Sequence, residues 1–111
     1  MAQILAGAAS PSWGVCYHVQ QAVEKGLKAL LVAAGDDPPK SHNLVRLNAA
    51  SDPPVFGVDD EDMLAALTLW SVEQRYPADQ PEPGDDDVAQ ALAFGQRAMA
   101  KIEARLAGGQ V

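Results

Sequence analysis

A single cysteine in 111 residues leaves this chain without an intramolecular disulfide and without a cysteine-rich zinc site. Aromatic residues are also scarce, at 5%, and the apolar content is mainly Ala, Leu and Val, a composition that favours helices over strands. Positive charge is in short supply: eight Lys and Arg face fifteen Asp and Glu, a net charge of −7. A broad grip on nucleic acid rests on neutralising several phosphates with Lys and Arg, so strong nucleic-acid binding is not expected. No apolar run approaches the ~20 residues of a membrane span. The opening MAQILAGAAS has no basic region and too short an apolar stretch for a secretory signal. The expectation is a cytoplasmic protein with no membrane contact, built as one domain over residues 1–111.

The charge is unevenly spread. Residues 1–51 carry four basic and three acidic side chains, whereas residues 52–111 carry four basic and twelve acidic. The first half can therefore supply the two or three cations that a small anionic ligand needs.

Proline and glycine punctuate the chain into helical segments, with no internal repeat. Met1 to Ala9 has room for one or two turns before Ser10-Pro11-Ser12. From about Ser12 to Ala34 the pattern is amphipathic. Val15, Val19, Val23, Gly26, Leu27 and Leu30 cluster on one side, with Gln21, Glu24, Lys25 and Lys28 opposite and His18 at the edge. Gly35 stands where a C-terminal cap belongs, and Asp36-Asp37-Pro38-Pro39 stops the helix. A short third segment starts at Ser41 as N-cap and ends before Asp52-Pro53-Pro54. The fourth opens on Asp59 to Asp62, acids suited to a helix N-terminus, and runs to Arg75-Tyr76, where Pro77 closes it. After a proline-rich acidic linker, Ala78 to Gly84, the last helix starts on Asp85 to Asp87. In it Val88, Leu92, Gly95, Met99, Ile102 and Leu106 alternate at spacings of four and three, a heptad-like seam that suits either the chain's own core or a second copy. The fold expected is an all-α antiparallel up-down bundle of four to five helices, the first one short, and a homodimer is the economical way to bury both apolar faces.

Three local motifs give the pattern a family likeness. Tyr17-His18, Gln20-Gln21-Ala22, Glu24-Lys25 and Lys28-Ala29-Leu30 resemble the signature helix of HEPN domains. A proline-containing turn and a short His segment follow in that family, like Ser41-His42-Asn43-Leu44-Val45-Arg46-Leu47 here. A later helix ends on an Arg-Tyr-Pro step, like Arg75-Tyr76-Pro77, and a long last helix closes the fold, like Val88 to Leu106. The likeness covers Trp13 to Leu106. It implies a helical bundle, commonly dimeric, in a family tied to nucleotide and RNA biology. Some members are ribonuclease toxins, and others are non-catalytic partners of small nucleotidyltransferases. Two departures matter. Catalytic members carry an Arg followed some residues later by a His on one helix. Here the first arginine, Arg46, comes after both histidines, His18 and His42, so that order is absent. The family's first helix is normally several turns long, against Met1 to Ala9 here, which suggests either a shortened helix or a bundle completed by a partner chain.

The residues themselves leave alternatives open. His18, Gln21, Lys25 and Lys28 share a face that forms either a nucleotide or phosphate pocket or a solvated surface on which Glu24 and Lys28 pair. His42 either hydrogen-bonds locally or stands beside Lys25 and Lys28 at the mouth of the bundle. Arg75 suits the negative end of a helix dipole and, in the functional reading, joins the same site. No metal-ligand spacing is present. Trp13, Trp70 and Cys16 read as packing residues, and Asp85 to Asp87 as helix-capping acids. The expected function is a non-catalytic HEPN protein without a resident cofactor, binding ATP or GTP and/or a small nucleotidyltransferase partner in a toxin–antitoxin-like pair. The alternatives are a ribonuclease toxin using His18, His42 and Arg75 in a rearranged site, and a purely structural dimerisation module.

Overall fold

A computed structural model describes residues 11–71 and 83–108. The described residues form four α-helices and no strand: α1 (Pro11–Ala33), α2 (Leu44–Ala50), α3 (Glu61–Thr68) and α4 (Asp85–Gly108). A 3-10 turn, Val58–Asp60, leads into α3.

The proline at the start of α1 costs nothing, because the first-turn amide it lacks would have no partner anyway. At the other end Gly35 takes φ +87°. Its amide donates to the Val32 carbonyl at 2.9 Å and that of Asp36 to Leu31 at 2.8 Å, the paired bonds of a Schellman cap. The expected glycine cap is thus in place.

Burial along α1 is rotated from the side that the sequence pattern picks out. Val15 and Val19 are only partly covered, whereas Cys16, Gln20, Val23, Glu24, Leu27 and Leu31 are all buried. The cause is that α1 is held from two directions. On one side lies α4; on the other lie α2 and the loop preceding it. Two glycines let α1 and α4 approach closely. A Cβ on Gly26 would come within 2.8 Å of Ile102 Cδ1, and one on Gly95 within 2.9 Å of Val19 Cγ1. Val19 meets Gly95 and Gly26 meets Ile102, so the two long helices run in the same direction. Asp60, at the end of the 3-10 turn, lies beside Arg97 and Lys101 of α4.

Asn43, not Ser41, caps α2: its side chain accepts from the Arg46 amide at 3.2 Å. The Ser41 hydroxyl accepts instead from the Asn43 amide at 3.0 Å, which moves the helix start two residues on and leaves His42 in the approach loop. Thr68 accepts from the Leu44 amide at 3.0 Å and donates to the Leu64 carbonyl, joining α2 to α3. Buried Asn48 receives the Phe56 amide (2.9 Å) and donates to the Phe56 carbonyl (2.8 Å). The Phe56 ring is held against Phe94 of α4, centroids 5.4 Å apart, and Arg105 donates to the Pro53 and Pro54 carbonyls.

The helix expected to reach Arg75-Tyr76 is regular only to Thr68. Leu69, Trp70 and Ser71 then make tighter i to i−3 bonds. Val72, Arg75, Tyr76 and Pro77, like Met1 to Ala9, lie outside the described residues. The acidic start of α4 behaves as a cap: Asp87 Oδ2 accepts from the Gly84 amide at 2.9 Å. Of the heptad-like seam, Gly95 and Ile102 are fully buried, Val88, Met99 and Leu106 partly so, and Leu92 is 46% exposed. Ala91, Phe94 and Ala98 are buried as well, so α4 spends a broad stripe on its own core.

Candidate functional site

Glu24 is the unexpected residue. It sits on the turn of α1 that faces the loop before α2, and its side chain has no exposure at all. A carboxylate taken out of water is costly unless donors surround it, and here they do. His42 Nδ1 lies 2.8 Å from Oε1, Gln20 Nε2 donates to the same oxygen at 3.1 Å and Gln21 Nε2 at 3.4 Å, while Lys28 Nζ meets Oε2 at 3.0 Å. Burial pushes the Glu24 carboxyl up, but the hydrogen bonds from His42, Lys28 and Gln20 outweigh it and hold the group below its ordinary value. An ionised carboxylate only accepts, so His42 carries its proton on Nδ1. Gln20 closes the ring by donating to the His42 carbonyl at 3.1 Å, and Gln21 donates to Gln20 Oε1 at 2.8 Å. The loop carrying His42 is thereby fixed to the middle of α1.

Among the residues singled out from sequence, Gln21, Lys28 and His42 converge on this hub. Lys25 is exposed, one residue along from Glu24. His18 does not join them: it is exposed on another side of α1, by the groove with α4, its ring tilted against Tyr17. Arg75 lies outside the described residues. Sequence pattern misses Gln20 and Glu24: Glu24 falls on the polar side of α1 as a surface partner for Lys28, and Gln20 stands out only within the family motif. The signal that marks them is the run Gln20, Glu24, Lys28 at steps of four, flanked on the same side by Leu27 and Leu31.

Beside His42 opens a cleft of about 550 Å³, lined by Lys40, Ser41, His42 and Asn43 of the loop, Val45 of α2, and Ala65, Thr68, Leu69 and Ser71 of α3 and its end. A second, apolar groove of about 400 Å³ lies between α1 and α4, along Val15, Val19, Ala22, Leu92 and Met99. A third hollow, about 320 Å³, lies at the far end of α1 against Asp36, Ser51, Asp52 and Arg105, away from the hub. Among the described residues no group of three or more His, Cys, Asp or Glu could hold a metal ion. Cys16 is buried, and burial, with the Asp87 charge second, pushes its thiol up, the setting of an inert packing cysteine.

Fold and hub together define an all-helical bundle whose central helix carries an ionised, fully buried glutamate pinned by a histidine from the next segment. Residues 11–104 match the HEPN domain family; the match spans most of the chain, and the chain belongs to that family. No curated protein and no solved structure matches it. Membership supports a general role that is nucleotide- or RNA-related or of the toxin–antitoxin type. No described helix is long and apolar enough to cross a membrane.

Proposed function

We propose that this chain is a non-catalytic HEPN protein of the cytoplasm that binds the phosphates of a nucleotide, ATP or GTP, alone or together with a small nucleotidyltransferase partner in a toxin–antitoxin-like pair. The observation that carries this reading is the occupation of the Glu24 carboxylate. It orients His42 and Lys28 and neutralises the one acidic group of the hub, while Lys25 and Lys40 are exposed and enter none of the ion pairs among the described residues. In a chain of net charge −7 Lys40 lines the same cleft as the fixed histidine, where a phosphate group would meet it as a point charge, and Lys25 stands exposed next to Glu24 on α1. Cleavage of RNA by His18 and His42 together finds less support, since within one chain they lie on different sides of α1 and no Arg-then-His order exists.

The test is thermal denaturation of the purified chain with ATP and with GTP, alongside capture of a nucleotidyltransferase from the native host. A nucleotide that binds only the folded state raises the melting temperature, and Lys25→Ala with Lys40→Ala abolishes the rise without disturbing the hub. If neither nucleotide shifts the transition and no nucleotidyltransferase is captured, the binding function is lost and only the fold remains.

Self-association belongs to the same proposal. The groove between α1 and α4 is apolar, and among the described residues Leu92, at 46% exposure, is one of four large hydrophobic side chains left uncovered. A second copy seated there would bury it. Sedimentation would then give a dimer that Leu92→Glu converts to monomer; a wild-type monomer at all concentrations ends that part of the reading.

A further inference from the structure

Ser71 is 1% exposed, and its hydroxyl has no hydrogen-bond partner among the described residues. Buried hydroxyls are nearly always satisfied, so an orphan calls for an explanation. Ser71 follows α3 and lines the cleft beside His42. Around that opening the side chains divide. The loop from Lys40 to Asn43 gives a polar wall, and the helices give a mainly apolar one, Val45, Ala65 and Leu69, broken by Thr68. Small-molecule sites combine an apolar surface with a few convergent polar groups in a volume of roughly 300–1,000 Å³, and this cleft, at about 550 Å³, has both. Ser51, the other serine with a buried unpartnered hydroxyl, lines the smaller hollow, where Asp36 and Asp52 outnumber the single cation, Arg105, which already donates to the Pro53 and Pro54 carbonyls.

We infer that the cleft between the His42 loop and α3 receives the nucleoside half of the bound nucleotide, and that Ser71 is a specificity-determining residue there. The assignment rests on the nucleotide-binding function proposed above. The apolar wall takes the flat face of the base, and the Ser71 hydroxyl, donor and acceptor at once, pairs with a polar atom of base or ribose. Lys40 stands on the polar wall of the same opening, so a ligand lying across it carries its phosphates toward the loop. Inorganic triphosphate, with no nucleoside, uses the cations and not Ser71.

Calorimetric titration of the full chain with ATP, GTP and inorganic triphosphate separates the two levels. Ser71→Ala is expected to weaken the better nucleotide about tenfold, the scale of one lost hydrogen bond, and to leave inorganic triphosphate unchanged. It should also raise the melting temperature of the free protein, because the orphan hydroxyl is gone. Ala65→Leu, at an exposed position on the apolar wall, should obstruct nucleotides and spare inorganic triphosphate. Nucleotide affinity untouched by both variants overturns the cleft assignment and leaves the nucleotide function standing. Equal weakening of nucleotide and inorganic triphosphate also overturns it, since the cleft is then a phosphate site. If no nucleotide binds the wild-type chain, the function itself falls and the cleft assignment with it.

Discussion

The two sides of α1 are buried by opposite means. Toward α4 the helix is stripped of bulk: Gly26 receives Ile102, and Gly95 of the partner helix receives Val19. Toward α2 it carries charge: Glu24 is enclosed completely and stabilised by four donors. The first side depends on volume and is indifferent to pH. The second depends on protonation state and on every donor being present. One helix thus shows that close packing and a buried ion can serve the same task of fixing a neighbour, with different sensitivities.

The largest test of that contrast is Glu24→Ala. Removing one partner of a buried ionic cluster costs about 3–5 kcal/mol, because Gln20 and the His42 loop lose their acceptor. Urea denaturation measures it, and a loss below about 1 kcal/mol would show that the hub is ornamental to the fold. A part of the same loss should appear with acid. The Glu24 carboxyl is held below its ordinary value when folded, so its contribution is fully present above about pH 5 and disappears as pH falls through the folded value. Glu24→Gln should flatten this acid dependence relative to wild type. On the other side of the helix, Gly26→Ala should cost about 1 kcal/mol net. Overpacking against Ile102 costs about 1–3 kcal/mol, and the better helix propensity of Ala returns about 1 kcal/mol. In an Ile102→Val background, where the Cδ1 atom 2.8 Å from the new methyl is gone, the change should become neutral or stabilising, a coupling that a double-mutant cycle reads directly. Neither Gly26 variant should alter the acid profile. The smallest effect belongs to Leu92→Ser, which at an exposed position should change the stability of a single chain by no more than about 0.5 kcal/mol.

How much of this was legible in the sequence follows the same division. The all-α bundle, the cap at Gly35, the acidic start of the last helix, the burial of Cys16 and the family likeness can all be read from spacing and motif, because each depends on neighbours along the chain. The contrast between Gln20 or Glu24 and Lys25 cannot. All three are polar residues on one helix, and only the position of a loop some twenty residues away decides which are buried. His42 illustrates the same limit from the other end. Its local context suggests a helix start, yet Asn43 takes the cap and the histidine turns to α1. The seam on α4 was half legible. Its period gave the buried Gly95 and Ile102, but the breadth of the stripe came from Phe56 reaching across to Phe94, a contact between segments that no periodicity encodes. Of the site residues named from sequence, Gln21, Lys28 and His42 do converge, and His18 stands apart because six residues separate it from Glu24, which sets it about 120° around the helix on the α4 side.

The pairing of Asn48 with both backbone groups of Phe56 has a consequence for chain length. A side-chain amide that holds one particular residue by its N–H and C=O acts as a ruler. One residue more between them would present Val55 to the amide, one fewer would present Gly57, and either would carry the aromatic ring off Phe94. The segment joining α2 to the 3-10 turn is therefore fixed in length, although most of it is exposed and looks like an ordinary loop. The exposed stretch just after Gly35 has no such gauge, and insertions or tags belong there.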